Sequence, residues 1–276
     1  MDSVKHWRPS TFSEIIGARN RRTVQRLQRA AIQRQPLAGI LLGQYGSAKT
    51  SLAQLLMKSY VCQRPGAETG NPCGTCPHCR SVRSDYNGES HTFQHWEIDC
   101  SQPLTREDIG QLVEEARSSI WPPFIILDEF HRLSKRSAQD VLLKFAEGLQ
   151  HGVLLAIAMT DSDRPGAWST QIRPALLDRL KRYYLALPEP NEMASLLWGK
   201  MQSWNIDSTA EALSELVDRS QCSFRTCLNI LDEARNVNGG VLDIELIDEI
   251  LPPCRPTSQD WTDPFADDAE ETQECE

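Results

Sequence analysis

No apolar run in the chain reaches the roughly 18 residues that a helix needs to cross a bilayer, so no membrane span is expected. Nor does an apolar stretch follow a basic start. The chain opens M-D-S-V-K-H-W-R-P-S, which lacks the pattern of a secretory signal and implies a cytoplasmic protein. Lys and Arg are absent after Arg255, while Asp260, Asp263, Asp267, Asp268, Glu270, Glu271, Glu274 and Glu276 accumulate there. Residues 252–276 therefore read as an acidic, disordered tail. There is no internal repeat, which argues against a solenoid. In a reducing compartment the nine cysteines are not expected to form a disulfide framework.

The 276 residues are 40% hydrophobic and 24% charged, which fits a soluble globular protein of one or two domains. The net charge is −9. Without the eight tail carboxylates the rest is nearly neutral, so a local basic surface for phosphate is compatible with the acidic total.

Short apolar runs alternate with helical periodicity. Leu37 to Leu42, Trp96 to Ile98, Phe124 to Leu127 and Val153 to Met159 suit buried strands. Arg19 to Gln35, Ser51 to Tyr60, Arg106 to Ser119 and Ala138 to Gln150 suit helices. That alternation predicts an α/β fold with a parallel sheet covered on both faces, over residues 1–187. Leu187-Pro188-Glu189-Pro190 reads as a hinge. Four helical segments follow (191–203, 210–220, 223–236 and 243–251), predicting a small all-helical second domain over 188–251.

The most informative segment is Gly43-Gln44-Tyr45-Gly46-Ser47-Ala48-Lys49-Thr50. It joins a predicted strand to a predicted helix, the context a P-loop requires. The backbone N–H groups of Gly43, Gly46, Ser47 and Ala48, with the helix N-terminus, would cradle phosphate oxygens. Lys49 would neutralise the β- and γ-phosphates, and the Thr50 hydroxyl would ligate Mg²⁺. Ala48 stands where such loops carry glycine. Its methyl is expected to crowd the loop or disfavour a positive φ, weakening binding of ATP without abolishing it. Asp128-Glu129 closes the strand F-I-I-L, at the end where α/β folds bind ligands. Asp128 would hold the Mg²⁺ shell and Glu129 would act as general base on the attacking water.

Cys62, Cys73, Cys76 and Cys79 follow a C-x10-C-x2-C-x2-C spacing. Four thiolates so close suit a structural Zn²⁺ with no open position; an iron–sulfur cluster is the alternative. His78 is not expected to ligate.

With these motifs placed, the chain from residue 5 to about 250 resembles the motor domains of clamp-loader AAA+ ATPases of the DNA polymerase III gamma/tau type. The resemblance rests on W-R-P-S-T-F-S-E-I-I-G over 7–17, on the P-loop, on D-E-F-H-R-L-S over 128–134 and on the cysteine cluster, which the family carries after the same helix. It implies an AAA+ P-loop NTPase with an inserted zinc module at about 62–79, hydrolysing ATP with Mg²⁺ and Zn²⁺ as cofactors. It places Trp7, Arg8, Pro9 and Ile16 near the adenine and gives Thr160 the sensor 1 position. It puts an arginine finger on Arg179, with Arg173 as the alternative, and sensor 2 on Arg225. Asp178, beside Arg179, could pair with it. A finger acts on a neighbour's nucleotide, so the resemblance implies a homo- or hetero-oligomer of AAA+ subunits. It also implies DNA replication, with a sliding clamp or other recruited protein as partner. The family's helical collar domain has no counterpart, which implies assembly through the two domains present or a collar supplied by a partner.

One further feature bears on DNA. Arg19, Arg22, Arg26 and Arg29, with Arg21 and Arg34 nearby, line the first helix with no acid among them, and could meet a phosphate backbone without sequence preference; a solvated helix face is the plainer reading. The alternative to a working motor is a nucleotide-dependent switch or scaffold, or a regulatory AAA+ protein of a mobile-element, phage or defence system.

Overall fold

The computed structural model describes residues 8–81, 95–118, 123–133, 136–148, 154–160, 169 and 171–252. Trp7 and the tail beyond Pro252 lie outside the described residues, as does Ser134 of the 128–134 motif.

The chain runs α1 (Arg21–Ile32), β1 (Leu37–Gly43), α2 (Lys49–Val61), α3 (Pro77–Ser81), β2 (His95–Asp99), α4 (Arg106–Ser118), β3 (Phe124–Asp128), α5 (Arg136–Glu147), β4 (Leu154–Thr160), α6 (Pro174–Leu177) and β5 (Lys181–Leu185). The five strands form one sheet in the order β2-β3-β4-β1-β5, every neighbouring pair parallel. Side chains alternate across a strand, so β1 feeds two cores. Leu37 and Leu41 pack with Leu52, Leu56, Tyr60 and Tyr183 on one face. Ile40 and Leu42 pack with Ile109, Leu112, Leu142 and Ile157 on the other. This is the α/β architecture expected, with helices on both faces.

The strand β5 was not expected from the sequence. Its opening Lys181 and Arg182 are exposed; Tyr183 and Leu185 are buried in one core, and Tyr184 packs against the other. It lies at the sheet edge beside β1, where Lys and Arg discourage further strand pairing.

From Pro190 on, α7 (Pro190–Trp204), α8 (Ala210–Arg219), α9 (Phe224–Asn236) and α10 (Ile244–Ile250) build their own core around Met193, Leu197, Met201, Leu216, Leu231 and Ile247. Each start is set locally. Glu189 and Glu192 form a reciprocal capping box with Pro190 in the first turn of α7, and Thr209, Ser223 and Asp243 accept the cap bonds of the next three helices. Such caps satisfy N–H groups that a helix leaves unpaired. Ile16 and Leu187 pack against this core. The buried amide of Asn20 ties the two together: it donates to Ile16 O and Ala186 O (2.8 and 2.9 Å) and accepts from Ala186 N (2.8 Å). The hinge segment is thereby pinned to the lead-in.

Candidate nucleotide site and cysteine cluster

The loop between β1 and α2 lies at the carboxyl end of the sheet beside β4, since Gly43 and Thr160 are direct partners across the β1–β4 ladder. Thr160, to which the resemblance gives the sensor 1 position, thus stands next to the first loop residue. Close packing makes glycine necessary at two points. A methyl on Gly43 would lie 2.1 Å from Leu185 O, and one on Gly46, at φ 84°, would lie 2.8 Å from Ser223 Oγ. Ala48 adopts φ 64°, ψ 23°, the left-handed region that costs a residue with a Cβ about 1 kcal/mol or more. The sequence expectation about this position was therefore sound in its physics: the methyl sits where glycine would be unstrained.

Lys49 opens α2 and is almost fully buried. Its ammonium donates to Gly43 O (2.9 Å) and Gln44 O (2.7 Å), so the loop curls around it. One residue on, Thr50 Oγ1 donates to Asp128 Oδ2 at 2.6 Å. The other carboxylate oxygen of Asp128 accepts from Glu129 N at 2.9 Å. Glu129 turns the chain at φ 50°, and its carboxylate lies 3.3 Å from His131 Nε2. A threonine hydroxyl, two carboxylates and an ammonium thus converge from two elements that are distant in sequence.

A cleft of about 710 Å³, open to solvent, lies above these groups. Its walls include Arg8, Lys49, Thr50, Asp128, Glu129 and, from the helical part, Arg225. A second, more apolar hollow adjoins it, lined by Pro9, Ile15, Ile16, Ala48, Pro188 and Phe224. The pair matches a nucleotide's division into charged phosphates and a flat apolar base. Of the lead-in residues, Arg8 lines the first, Ile16 the second and Pro9 both. Arg225 lies over the Tyr45 ring, 4.9 Å from its centroid, and donates to the Tyr45 hydroxyl.

Arg179 and Arg173 lie outside the lining of this cleft. Arg179 pairs with Glu147 at 2.6 Å and donates to Ala175 O; Arg173 pairs with Asp140 at 2.6 Å. The partner of Arg179 is therefore Glu147 of α5 and not its neighbour Asp178, because α6 turns the guanidinium back towards α5.

Nothing in the sequence pattern flagged Gln54 or Glu97. Arg8 donates to Gln54 Oε1, and Gln54 Nε2 donates to both Glu97 oxygens, at 2.7 and 2.6 Å. Part of Glu97 reaches solvent, yet desolvation of its carboxyl still raises its pKa, with Gln54 opposing. Burial, and then the charge of Arg8, lowers the pKa of nearby Lys58. Gln54 lies one turn after Thr50 on α2, among buried residues most of which are apolar.

The four cysteines meet as the spacing predicts. All four Sγ atoms lie within 4.8 Å of one another, with Cys73 and Cys79 4.0 Å apart. A tetrahedral Zn²⁺ with bonds of about 2.3 Å needs sulfur separations of about 3.8 Å, so the set fits. Backbone N–H groups of Cys73, Cys76 and Cys79 point at the sulfurs of Cys62, Cys73 and Cys76, at 3.2, 3.3 and 3.4 Å. The N–H groups of Cys76 and Thr75 pull the Cys73 thiol down to about 5, whereas burial pushes Cys62 and Cys79 up. Burial of that kind disfavours thiolates unless a cation offsets their charge. His78 turns away, with Nδ1 2.8 Å from Val61 O, and is not part of the sulfur cage. The module is fastened to the fold through Phe12 N to Asn71 Oδ1 (2.9 Å) and Arg34 to Cys62 O (3.1 Å).

Comparison with known proteins agrees with this picture. A family model described as DNA polymerase III, delta subunit matches residues 19–164. The chain is 25% identical over 257 residues to the DNA polymerase III subunit gamma of Buchnera aphidicola subsp. Baizongia pistaciae, covering 90% of this chain and 64% of that protein. It is 24% identical over 254 residues to the DNA polymerase III subunit tau of Escherichia coli, covering 90% of this chain and 36% of that protein. The chain thus spans less than two thirds of the length of these relatives. Among solved structures, the Thermotoga maritima RuvB Holliday junction branch migration motor superposes with a TM-score of 0.59 at 15% identity, over 88% of this chain and 71% of that one. That likeness concerns the fold alone, an AAA+ P-loop fold.

Proposed function

The chain belongs to the DNA polymerase III delta-subunit family, and from that premise we propose that it is a clamp-loader-like AAA+ subunit that binds and hydrolyses ATP while acting on DNA with protein partners. The observation that carries the reading is the contact of Thr50 with Asp128 beside the loop that wraps Lys49. These contacts support the reading, because a P-loop ATPase draws its phosphate- and Mg²⁺-binding groups from the loop after β1, the start of α2 and the end of β3.

In this reading the loop N–H groups and Lys49 bind the phosphates, and the apolar hollow around Pro9, Ile16 and Phe224 takes the base. Thr50 and Asp128 would hold Mg²⁺, which when bound neutralises charge on the β- and γ-phosphates. Glu129 orients a water and accepts its proton. Thr160, beside Gly43, aligns that water or the γ-phosphate. Arg225 answers to the γ-phosphate from the helical side. Arg179 exchanges Glu147 for a neighbouring subunit's phosphate on assembly, where such an arginine is worth about 10³–10⁵ in rate. The four cysteines hold Zn²⁺ as a structural staple, and a sliding clamp is the partner that the relatives suggest.

A second reading, a nucleotide-dependent switch with slow turnover, is favoured by the left-handed backbone of Ala48. Steady-state phosphate release with and without primed DNA, beside Glu129→Gln, separates the two. A motor shows DNA-stimulated turnover that falls about 10²–10⁴-fold in the variant. A switch binds ATP with turnover no higher than the variant's, and a protein that binds no ATP is neither.

A further inference from the structure

Tyr45 sits at the tip of the phosphate-binding loop with about half its surface exposed to solvent. The loop binds phosphate through backbone N–H groups and Lys49, so the ring is not needed for that work. The guanidinium of Arg225, from the first turn of α9, lies over the ring. The same arginine also donates a hydrogen bond to the phenol oxygen. Beside this pair the two elements touch closely. Ser223, the N-cap of α9, lies close against Gly46, where a methyl would come within 2.8 Å of Ser223 Oγ. Two contacts therefore fasten the start of α9 to the loop, Arg225 on Tyr45 and Ser223 against Gly46.

We propose that Tyr45 is a positioning residue: its ring is the platform that fixes the plane of the Arg225 guanidinium at the mouth of the cleft, so that the arginine can recognise the terminal phosphate of a nucleoside triphosphate. The proposal rests on the reading of the cleft as a nucleotide site. A guanidinium lying on an aromatic face keeps N–H donors at its edge, and one of those already goes to the phenol oxygen. The remaining donors stay available to an anion, and Arg225, Lys49, Asp128 and Glu129 line the same cleft. Holding the plane in advance removes the entropy cost of ordering a long, otherwise solvent-exposed side chain when the phosphate arrives. It also couples the angle of α9 to the shape of the loop, so that the helical part reports which nucleotide is bound.

The test is calorimetric titration of the full chain, loaded with Zn²⁺ and Mg²⁺, with ADP and with a non-hydrolysable ATP analogue. The readout is the ratio of the two affinities, which a general loss of fold does not alter selectively. Tyr45→Leu should reduce the preference for the triphosphate about two- to thirtyfold, the range a cation–π contact commands. Tyr45→Phe should restore most of it, because the ring face remains. Combining Tyr45→Leu with Arg225→Ala should cost no more than Arg225→Ala alone, since one residue acts through the other. An unchanged ratio in Tyr45→Leu, no rescue by phenylalanine, or additive losses would overturn the proposal while leaving the nucleotide site standing. Absence of binding by either nucleotide to the unaltered chain would remove both.

Discussion

Thr50 on α2 and Asp128 at the end of β3 are joined by a 2.6 Å hydrogen bond across 78 residues of chain, and that bond ties the phosphate loop to the strand that carries the acids. Separating the pair should impair chemistry more than nucleotide affinity. Asp128→Asn is expected to lower ATP turnover about a hundredfold or more, as removal of one preorganised polar group in such sites does. Its ADP affinity measured in chelator should stay within a few-fold. Equal loss of both would place Asp128 in the fold and not in the chemistry.

Ala48 pays for its methyl with a left-handed backbone. Ala48→Gly should relieve about 1 kcal/mol of strain, offset in part by the greater freedom of glycine in the unfolded chain. The larger effect is expected in the loop's function: nucleotide affinity should rise by up to about fivefold, the equivalent of that strain. Titration beside a thermal melt checks both. A fall in affinity would mean that the methyl makes a contact the loop depends on.

The cysteine module predicts a metal-dependent fold. One Zn²⁺ per chain should be found by elemental analysis, and Cys79→Ala, which removes a buried ligand, should abolish it. Removal of the metal should lower the unfolding midpoint and expose the module's ties at Asn71 and Cys62 to proteolysis. Recovery of iron with sulfide instead of zinc would favour the cluster alternative.

The arginine face of α1 predicts a salt-dependent contact with DNA. Arg21, Arg22, Arg26 and Arg29 are exposed, and Arg26 is steadied 5.2 Å over the Tyr183 ring. Arg19, by contrast, is paired with Glu189 at 2.9 Å, which the sequence did not foretell because the acid comes from the hinge. Replacing Arg22 and Arg29 by Gln should weaken DNA binding alike for all sequences and reduce the log–log salt slope by about 1 per arginine. An unchanged slope would return α1 to the status of a solvated face.

Much of this architecture was legible in the sequence because the apolar runs are short and bounded by glycine or by charge. Leu37–Gly43 and Phe124–Asp128 could hardly be anything but buried strands, and the loop between β1 and α2 names its own chemistry. What escaped was decided by tertiary contact. The strand β5 opens with Lys181 and Arg182 and becomes a strand by pairing with β1. The Arg8–Gln54–Glu97 chain joins the lead-in to α2 and β2, and no local pattern ties them. The partner of Arg179 was misjudged for the same reason. Adjacency in sequence favoured Asp178, but the turn of α6 presents the guanidinium to Glu147.

The central claim is that the cleft over Lys49 is a nucleotide site, and calorimetric titration of the purified chain with ATP and Mg²⁺ tests it most directly, beside Lys49→Ala. The account predicts one bound ATP per chain and loss of binding in the variant, because Lys49 both shapes the loop and meets the phosphates. An unaltered chain that binds no ATP, or a Lys49→Ala variant that binds it equally well, would contradict the account.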